Sequence, residues 1–556
     1  MSTQVTEADA FSKTCEEIIE RILGGQLSVE QVEEVKMEVC AIYSSPKVPK
    51  NTEILDYAPS EIRGKLEQVL RRKPVRTASG VTPIAIMTSP HMCPHGKCLF
   101  CPGGPASEFS SPQSYTGYEP AAARGKQTDY DPYGQVTLRL EQFREIGHPV
   151  DKAELILMGG TMTARSADYQ EWFVRRALEA MNDYDLSIAP SLGEGRIFVQ
   201  ENPQFKYLED VISVNETADI RCIAMTFETK PDWCNHEQID RMLRLGGTKV
   251  ELGVQTTFEH INHAMHRGHG TIESVESNQR LRDSGFKVGF HMMPGQPGMS
   301  YDMGIEDFRR LFADPIWKPD YLKIYPTLVV KGTRTYDMWK RKEYDPLDNE
   351  QAAKLVAEVK SMIPRYVRLQ RVQRDIPANF IEAGVWKSNL RQLAIEHLKT
   401  MGKSCKCIRC REAGLNSKVP QNLEMEVLEY EAAGGIENFI SIEDFDQDIL
   451  VGFCRLRFSE TPARVELKDA SILRELKVYG NEMGLIERGE EIGPGEWQDG
   501  FQHKGHGRAL MERAEEMTAD AGYKKIAVLA GIGAREYYKQ KLGYYQDGPY
   551  VSKWLC

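Results

Sequence analysis

Short apolar segments alternate with helical stretches between residues 76 and 385, and this alternation constrains the fold more than any other feature of the chain. The strand-like segments are TPIAIMT, ELILMGG, IAMTFE, KVELGVQT, KVGFHMM and YLKIYPTLVV. Strands that alternate with helices form βαβ units, so we predict a parallel sheet or barrel. Sites in such folds form in the loops after the strands, so the polar residues at the strand ends are the first candidates.

The chain has 556 residues, which is too long for one ordinary hydrophobic core. Residues 1–75 carry apolar residues at three- and four-residue intervals and are predicted to be helical. Residues 76–385 form the βα unit, and residues 386–420 form a basic linker. Residues 421–556 form a further unit with strand-like ILVGFCRLRF, ILRELKVYG and KKIAVLAG. We therefore predict four segments with boundaries at these positions.

The composition predicts a cytoplasmic protein. No run of about 18 apolar residues is present, and the polar, acidic N-terminus does not resemble a signal peptide. Six of the 12 cysteines fall in two tight groups. Clustered cysteines in a reducing compartment indicate metal ligands before disulfides.

The first cysteine group, Cys93, Cys98 and Cys101, follows directly after the strand-like TPIAIMT. Three thiolates on one short loop can hold three irons of a [4Fe–4S] cube and leave the fourth iron open. The alternative is a zinc site whose remaining ligand is His91 or His95. The spacing alone leaves both interpretations open.

The cysteine loop resembles that of radical S-adenosylmethionine (SAM) enzymes, although C-x4-C-x2-C is one residue longer than their commonest spacing. With CPGGP and QSYTGYEP, it resembles the catalytic subunit of the Elongator complex and its stand-alone relatives. The resemblance continues through YDPYGQ, LILMGGT, FETKPDW, ELGVQT, HMMPGQPG, LKIYPTLVV and QRDIP, over almost the whole chain. It implies an α/β multidomain protein: a helical N-terminal region, a radical SAM partial (β/α) barrel, and a mixed α/β domain of the GNAT acetyltransferase type.

By that resemblance, the three cysteines of the first group ligate a [4Fe–4S] cluster whose open iron binds the amino acid part of SAM. Gly159, Gly160 and Thr161 match the segment that meets the methionyl amino group, where only glycine lets the backbone approach so closely. Glu228 and Gln255 match positions that contact the ribose and nearby groups. Polar capping of strand ends is the alternative for these two side chains.

A Q-x-x-G-x-G segment precedes a predicted helix in the last unit. Consecutive N–H groups at a helix N-terminus suit a pyrophosphate. The order of strands and helices around the segment resembles GNAT-type acetyltransferases, in which the pantetheine arm pairs with the preceding strand. The resemblance thus implies acetyl-coenzyme A (acetyl-CoA) binding at these residues: Lys477, Val478, Gln502, His503, Lys504, Gly505, His506 and Gly507.

Five residues are candidates for catalysis. The family associates a tyrosine pair, here Tyr537 and Tyr538, with acetyl-CoA turnover, and a phenol can donate to a departing thiolate or hold the thioester carbonyl. Packing is the alternative role for either ring. Lys323 is a candidate for positioning the acyl group or the base, with a structural lysine at the core edge as the alternative. Glu475 and His503 are candidate general bases for a lysine acetyltransferase.

The second cysteine group, Cys405, Cys407 and Cys410, lies among basic residues of the linker. Three thiolates within six residues fit a structural zinc site with a remote fourth ligand. Free surface thiols are the alternative.

Two basic segments, residues 63–76 and 365–374, are candidates for RNA binding. The net charge of −11 argues weakly against nucleic acid, but a phosphate backbone senses charge only within about 10 Å. A solvated basic face is the alternative. The candidate RNA contacts are Arg71, Arg72, Lys73, Arg371 and Arg374.

The resemblance implies tRNA carboxymethyluridine synthesis. A radical derived from SAM removes hydrogen from the methyl group of acetyl-CoA, the carbon radical adds to carbon 5 of the wobble uridine, and thioester hydrolysis leaves a carboxymethyl group. An external electron donor is then required, and a second copy or accessory subunits are further candidate partners. The alternatives are a protein lysine acetyltransferase with a structural iron–sulfur site and a tRNA-binding scaffold with degenerate sites.

Overall fold

The computed structural model describes residues 7–25, 29–59, 62, 66, 69–70, 80–188, 206–416, 419–479 and 505–555. Its N-terminal helices are α1 (Glu7–Gly24), α2 (Val29–Tyr43) and α3 (Asn51–Asp56). Apolar residues of these helices, among them Ile18 and Val39, form a small separate core. The helical prediction for this region is therefore confirmed where it is described. None of the helices in the described ranges is long and apolar enough to cross a membrane.

The first sheet has seven strands, and every neighbouring pair in it is parallel. In spatial order the strands are β1 (Thr82–Met87), β2 (Lys152–Met158), β3 (Arg221–Thr229), β4 (Lys249–Gln255), β5 (Lys287–Met292), β6 (Tyr321–Ile324) and β8 (Arg368–Arg371). A separate two-stranded pair consists of β7 (Val329–Val330) and β9 (Ile381–Ala383).

Helices cover the outer face of this sheet, which curls into half a barrel. Apolar side chains such as Leu155 and Val288 pack outward, and alternate residues such as Glu154 and Lys287 face inward. We call this inner space the lumen. The helices are α4 (Pro120–Gln127), α5 (Pro132–Glu145), α6 (Ala167–Asn182), α7 (Leu208–Asn215), α8 (His236–Arg244), α9 (Glu259–Ala264), α10 (Thr271–Asp283), α11 (Tyr301–Ala313), α12 (Arg334–Lys340), α13 (Asn349–Met362), α14 (Leu390–Thr400) and α15 (Ile408–Arg411).

The second sheet is mixed, with the strand order β10-β11-β12-β13-β14-β16-β15. Its elements are β10 (Glu424–Ala432), β11 (Gly435–Asp444), β12 (Ile449–Phe458), β13 (Ala470–Val478), α16 (His506–Asp520), β14 (Lys525–Val528), α17 (Arg535–Leu542), β15 (Tyr545–Asp547) and β16 (Tyr550–Trp554). Only β13 and β14 are parallel neighbours. They pair over Ala470–Leu473, while β13 continues to Val478 along β12 alone. The two central strands therefore separate after Leu473.

This second domain covers the lower end of the half-barrel, where the parallel strands begin. A Cβ on Gly531 would overlap the carbonyl oxygen of Ile223 in β3. Arg474 of β13 donates to both carboxylate oxygens of Asp320, just before β6, at 2.7 and 2.9 Å. The Tyr550 hydroxyl donates to a backbone carbonyl just before β5 at 3.0 Å. The upper end, where the strands finish, carries the cysteine loop.

Candidate functional site

The loop that follows β1 folds tightly around its three cysteines, all of which are buried. The side chain of Gln113 holds the loop together: its oxygen accepts from the Cys93 N–H at 3.0 Å, and its nitrogen donates to the Gly96 carbonyl at 2.8 Å. A Cβ on Gly103 would overlap the Pro112 carbonyl oxygen, so only glycine fits there. Close packing therefore explains the glycine at position 103.

Polar groups surround the three sulfur atoms. The Thr161 hydroxyl lies 3.3 Å from Cys93 Sγ, and the Ser114 N–H donates to Cys101 Sγ at 3.2 Å. Arg267 Nη1 donates to Cys98 Sγ at 3.3 Å, and His95 Nε2 lies 3.2 Å from the same sulfur. Hydrogen bonds of this kind stabilise thiolate ligands.

The two cysteine groups of the chain differ in the distances between their sulfur atoms. The sulfur atoms of Cys405, Cys407 and Cys410 all lie within 4.8 Å of one another, and no such group of three includes the first cysteines in the described part of the chain. One tetrahedral zinc ion with Zn–S bonds of about 2.3 Å requires thiolates roughly 3.8 Å apart. An iron–sulfur cube holds its thiolates further apart. The second group therefore fits a single ion, whereas the first is spaced too widely for one ion, as a larger cluster would require.

The glycine pair after β2 lies against the cysteine loop. Both residues have positive φ, 134° at Gly159 and 84° at Gly160. A Cβ on Gly159 would overlap the Thr88 hydroxyl, and one on Gly160 would lie 3.6 Å from Cys93 Sγ. A side chain on Gly159 would therefore collide with Thr88, whereas one on Gly160 would project toward the cysteine loop, where its absence leaves the backbone accessible.

Two buried polar atoms beside the cysteines lack partners. Gln255, at the end of β4, has the unusual φ of 71°, and its Oε1 accepts no hydrogen bond from any described residue. The same holds for Nδ1 of His95. Burial lowers the pKa of His95 to about 4, so its ring is neutral at pH 7. Unsatisfied buried groups of this kind are typical of a site that receives a polar ligand.

A chain of alternating charges runs along the lumen wall below the cysteine loop. The Tyr115 hydroxyl donates to Glu228 at 2.8 Å, and Lys323 bonds to Glu228 at 3.2 Å and also to Glu251. Lys249 continues the chain at 2.8 Å from Glu251. The structure thus brings Glu228 and Lys323 into direct contact. The sequence context of neither residue predicted this contact.

The buried carboxylates determine the charge of Lys323. Burial alone would lower the pKa of Lys323, but Glu251, Tyr325 and Glu228 raise it far above its ordinary value. Burial opposes ionisation of Glu251, yet the neighbouring lysines hold its pKa well below the usual range. Lys323 is therefore a fixed cation that suits positioning, and it is a poor proton acceptor.

On the second domain, Gly505 caps the N-terminus of α16. It has a φ of 85°, and a Cβ there would meet no other described atom within 4 Å. A Cβ on Gly507 would lie 3.5 Å from the Tyr537 hydroxyl and 3.8 Å from a methyl group of Val478. The end of β13, the start of α16 and α17 therefore meet at one place. Three residues of the predicted segment, Gln502, His503 and Lys504, lie outside the described residues.

The two candidate tyrosines of α17 have different surroundings. Tyr538 is only 6% exposed, packs against Tyr544 and lines the cavity described below. Tyr537 is 40% exposed and faces the start of α16. Lys477 lines the same cavity, and burial lowers its pKa. Both tyrosines thus remain beside the predicted acetyl-CoA site, on different sides of it.

One cavity of about 630 Å³ connects the two ends of the half-barrel. At the upper end it borders Cys93, Cys98 and Cys101, and at the lower end it borders Lys477 and Tyr538. Both predicted sites therefore border the same cavity.

The second cysteine group lies between the half-barrel and the second sheet. Cys405 and Cys407 are buried in the main hydrophobic core, and Cys410 is exposed. Lys360 donates to Cys410 Sγ at 3.4 Å. Among the described ranges, no fourth histidine, cysteine or carboxylate atom comes within 4.8 Å of all three sulfurs. The remote fourth ligand stays a prediction.

Only part of the predicted RNA surface is described. Arg71, Arg72 and Lys73 lie outside the described residues. Arg371 pairs with Asp375 at 2.7 Å, and Arg374 donates to the backbone carbonyl of Ser114. Both arginines line the cavity at its upper end. Their role in RNA binding remains a prediction.

Sequence reasoning missed several side chains of the site. Tyr115 and Glu251 belong to the motifs QSYTGYEP and ELGVQT, so the motif signal was present. Arg267 and Tyr321 carry no comparable signal, and Tyr321 hydrogen-bonds to Glu475 across the domain boundary. That bond engages Glu475 with the half-barrel.

Known proteins match this chain over most of its length. Its family matches are "ELP3 N-terminal domain" over residues 11–78, "Radical SAM superfamily" over 87–311 and "Radical_SAM C-terminal domain" over 319–400. A tRNA uridine(34) acetyltransferase of Methanocaldococcus jannaschii is 46% identical over 562 residues, covering 98% of this chain and 99% of that protein. The human Elongator complex protein 3 is 38% identical over 566 residues, covering 99% and 98%. The solved structure of Methanocaldococcus infernus Elp3 with an N-terminal deletion has a TM-score of 0.71 and 40% identity, covering 86% of this chain and 100% of that one.

Proposed function

Because the chain belongs to the Elongator complex protein 3 family, we propose that it is a tRNA-modifying enzyme that carboxymethylates carbon 5 of the wobble uridine. Its radical SAM domain implies a [4Fe–4S] cluster and SAM as cofactors. The Methanocaldococcus jannaschii relative is named a tRNA uridine(34) acetyltransferase, which agrees with the proposed substrate. The proposal further specifies the carboxymethyl product and the use of acetyl-CoA.

The observation that carries the proposal is the single cavity bordered by the cysteine loop and by the separated ends of β13 and β14. A radical reaction on an acetyl group needs the two sites to share a space from which water is largely excluded. A lysine acetyltransferase instead needs its thioester to face an incoming peptide. A cavity that both sites border favours the first arrangement.

At the upper end, the chain's own residues prepare the SAM site. Cys93, Cys98 and Cys101 would hold the cluster, which with SAM supplies one-electron chemistry that removes hydrogen from a carbon. Gly159 and Gly160 offer unobstructed backbone, and Gln255 offers an unpaired carbonyl oxygen. The neutral imidazole of His95 can accept or donate one hydrogen bond there.

At the lower end, residues of the second domain would bind acetyl-CoA. The first N–H groups of α16 provide an anion site for the pyrophosphate. The separated strand β13 has unpaired backbone groups beyond Leu473, and these can bond the amides of the pantetheine arm. Lys323 would hold the thioester carbonyl or the uracil by its fixed positive charge.

The direct test is an anaerobic assay of the iron-reconstituted protein with dithionite, SAM, acetyl-CoA and tRNA. We expect 5′-deoxyadenosine formation that rises with tRNA and acetyl-CoA, together with carboxymethyluridine at the wobble position. Cys98→Ala should lose both products, because the cluster lacks one of its three ligands. Cys40→Ala is the matched control, since Cys40 is half-buried in α2 and belongs to neither cysteine group.

The alternative function, a protein lysine acetyltransferase, predicts the opposite result for the same samples. Acetylation of peptide lysines that is equal in Cys98→Ala and wild type, without 5′-deoxyadenosine, would refute the proposed function and support the rival.

A further inference from the structure

The proposed reaction ends with the hydrolysis of a thioester, and this step needs a group that accepts a proton from the attacking water. Lys323 cannot be that group, because it is a fixed cation. A suitable acceptor must border the cavity close to Lys323, which would hold the thioester carbonyl. It must also have a basic atom at neutral pH.

His291 stands next to Lys323 on the lumen wall. The two residues are partners in the parallel pairing of β5 with β6, and both side chains line the cavity. Neighbouring strands lie about 4.8 Å apart, so the imidazole and the ammonium group project side by side from one face of the sheet. The His291 side chain is 16% exposed, so water from the cavity can reach it.

Glu251 orients the imidazole ring. His291 Nε2 lies 3.0 Å from Glu251 Oε2, the same oxygen that accepts from Lys323. Burial opposes ionisation of Glu251, but Lys249 and Lys323 hold its pKa well below the usual range. An ionised carboxylate can only accept, so Nε2 of His291 carries the proton and Nδ1 carries the lone pair.

An aromatic ring completes the setting of the imidazole. The Tyr325 ring lies edge-on to the His291 ring, with 5.4 Å between the ring centroids. Tyr325 also packs against the hydrophobic cluster that contains Cys98 and Cys101. The imidazole is therefore held between a carboxylate and an aromatic ring directly below the cysteine loop.

The neighbouring carboxylates of the cavity are poorer proton acceptors. Glu228 accepts from Tyr115 at 2.8 Å and from Lys323 at 3.2 Å. Glu475 accepts from Arg455 at 2.9 Å and also from a tyrosine hydroxyl. Burial opposes ionisation of Glu475, yet Arg455 is foremost among the groups that lower its pKa. A carboxylate whose charge is stabilised in this way is a weak base.

We propose that His291 is the general base of the hydrolysis step. Its Nδ1 takes a proton from water while the water oxygen attacks the thioester carbonyl, and the same proton then passes to the departing thiolate of coenzyme A. One C–O bond forms and one C–S bond breaks, without oxidation or reduction. Lys323 stabilises the negative charge that develops on the carbonyl oxygen. The inference rests on the proposed function.

The test compares His291→Gln with wild type in the anaerobic assay, using acetyl-CoA with a trideuterated methyl group. Glutamine keeps a hydrogen-bond donor for Glu251 but has no basic nitrogen. Deuterium transfer to 5′-deoxyadenosine should stay near the wild-type level, because that step precedes hydrolysis. Carboxymethyluridine formation should fall by about a hundredfold, the effect of losing a general base. Mass spectrometry of the digested tRNA should then detect wobble uridine that is still joined to coenzyme A through the thioester.

Two further variants separate a catalytic role from a structural one. His397→Gln is the matched control, since His397 pairs with Glu350 at 3.3 Å on α14, outside the cavity, and is 26% exposed. It should behave as wild type. His291→Ala should also accumulate the thioester, and added imidazole should restore its hydrolysis without changing deuterium transfer.

The outcomes distinguish the inference from the proposed function. If wild type transfers no deuterium, the proposed function fails, whatever the variants do. If wild type transfers deuterium and His291→Gln forms carboxymethyluridine at the wild-type rate, His291 is not the base. Loss of deuterium transfer in both His291 variants would also contradict the inference, since the ring would then be required before hydrolysis. Failure of imidazole to restore hydrolysis in His291→Ala would mean that the ring only positions its neighbours.

Discussion

At the scale of single residues, Arg267 is the side chain whose role follows most directly from its contacts. It is buried, donates to Cys98 Sγ at 3.3 Å and to the Gly253 carbonyl at 2.6 Å. A cation that hydrogen-bonds a thiolate ligand stabilises the reduced, more negative state of an iron–sulfur cluster. Arg267 would therefore make the cluster easier to reduce.

Replacing Arg267 tests this directly. Arg267→Gln should lower the midpoint potential of the reconstituted cluster by roughly 60 mV, the one-electron equivalent of a tenfold change. Arg267→Lys should stay closer to wild type, because it keeps the charge. An EPR-monitored redox titration measures the shift. Equal potentials in all three proteins would mean that the contact is only structural.

Single contacts of this kind were the least predictable part of the site. Motifs in the sequence identified the cysteines, the glycine pair and Glu228 as candidate site residues. The contacts of Arg267 with Cys98 and of Tyr321 with Glu475 join residues 169 and 154 positions apart. Neither periodicity nor motif spacing reports such pairs, because they depend on how complete elements pack.

At the scale of elements, the predicted strands of the half-barrel were confirmed as β1 to β6, and those of the second domain as β12 to β14. Six of the described strands, β8 to β11, β15 and β16, escaped prediction, and four of them have a plain physical reason. β8 is a four-residue strand, RLQR, whose polar side chains suit the lumen edge. β10 is an edge strand whose side chains are largely exposed and include four glutamates. Its sequence therefore lacks the apolar residues by which a buried strand is recognised. The two strands β15 and β16 are short.

The short helix α15 and the turn before it depend on the second cysteine group. Cys407 immediately precedes α15, and its side chain is fully buried in the core that joins the two domains. Metal binding to three closely spaced thiolates adds its free energy to folding.

We expect the purified protein to contain about one zinc ion at this group, as measured by elemental analysis. Cys407→Ser should lose the zinc and unfold at a lower temperature than the control Cys40→Ser, whose cysteine is half-buried in the N-terminal helices. If the wild type purified without zinc and Cys407→Ser unfolded at the same temperature as Cys40→Ser, a structural metal would be excluded here.

At the scale of the whole molecule, buried ion pairs hold the second domain onto the half-barrel. Arg282, Arg474, Asp320 and Glu437 have fully buried side chains and pair at 2.6 to 3.3 Å. The arrangement was not predictable from sequence, since the pairs Arg282–Glu437 and Arg474–Asp320 join residues 155 and 154 positions apart. It explains why the two sites face one cavity.

Acid should weaken this interface. Burial opposes ionisation of Asp320, but Arg282 and Arg474 hold its pKa far below its ordinary value. The folded protein therefore binds this proton more weakly than the unfolded chain does. Its contribution is complete above the unfolded pKa of about 3.9 and is lost as the pH falls below that value.

Asp320→Asn should destabilise the protein by about 3–5 kcal/mol at pH 7, because it leaves buried arginines without their partner. Its stability should also fall less steeply than that of wild type as the pH decreases below about 4. Denaturant unfolding at several pH values measures both effects. Asp302→Asn, at an exposed position of α11, is the control, and equal behaviour of the two variants would contradict the account.

The most direct measurement of the central claim follows the carbon atoms of the acetyl group. The protein would be given acetyl-CoA with both acetyl carbons labelled as carbon-13, together with SAM, reductant and tRNA, and the wobble nucleoside would be analysed by mass spectrometry. We predict carboxymethyluridine that carries both labelled carbons. A labelled acetyl group on protein lysines, with an unlabelled wobble uridine, would contradict the account.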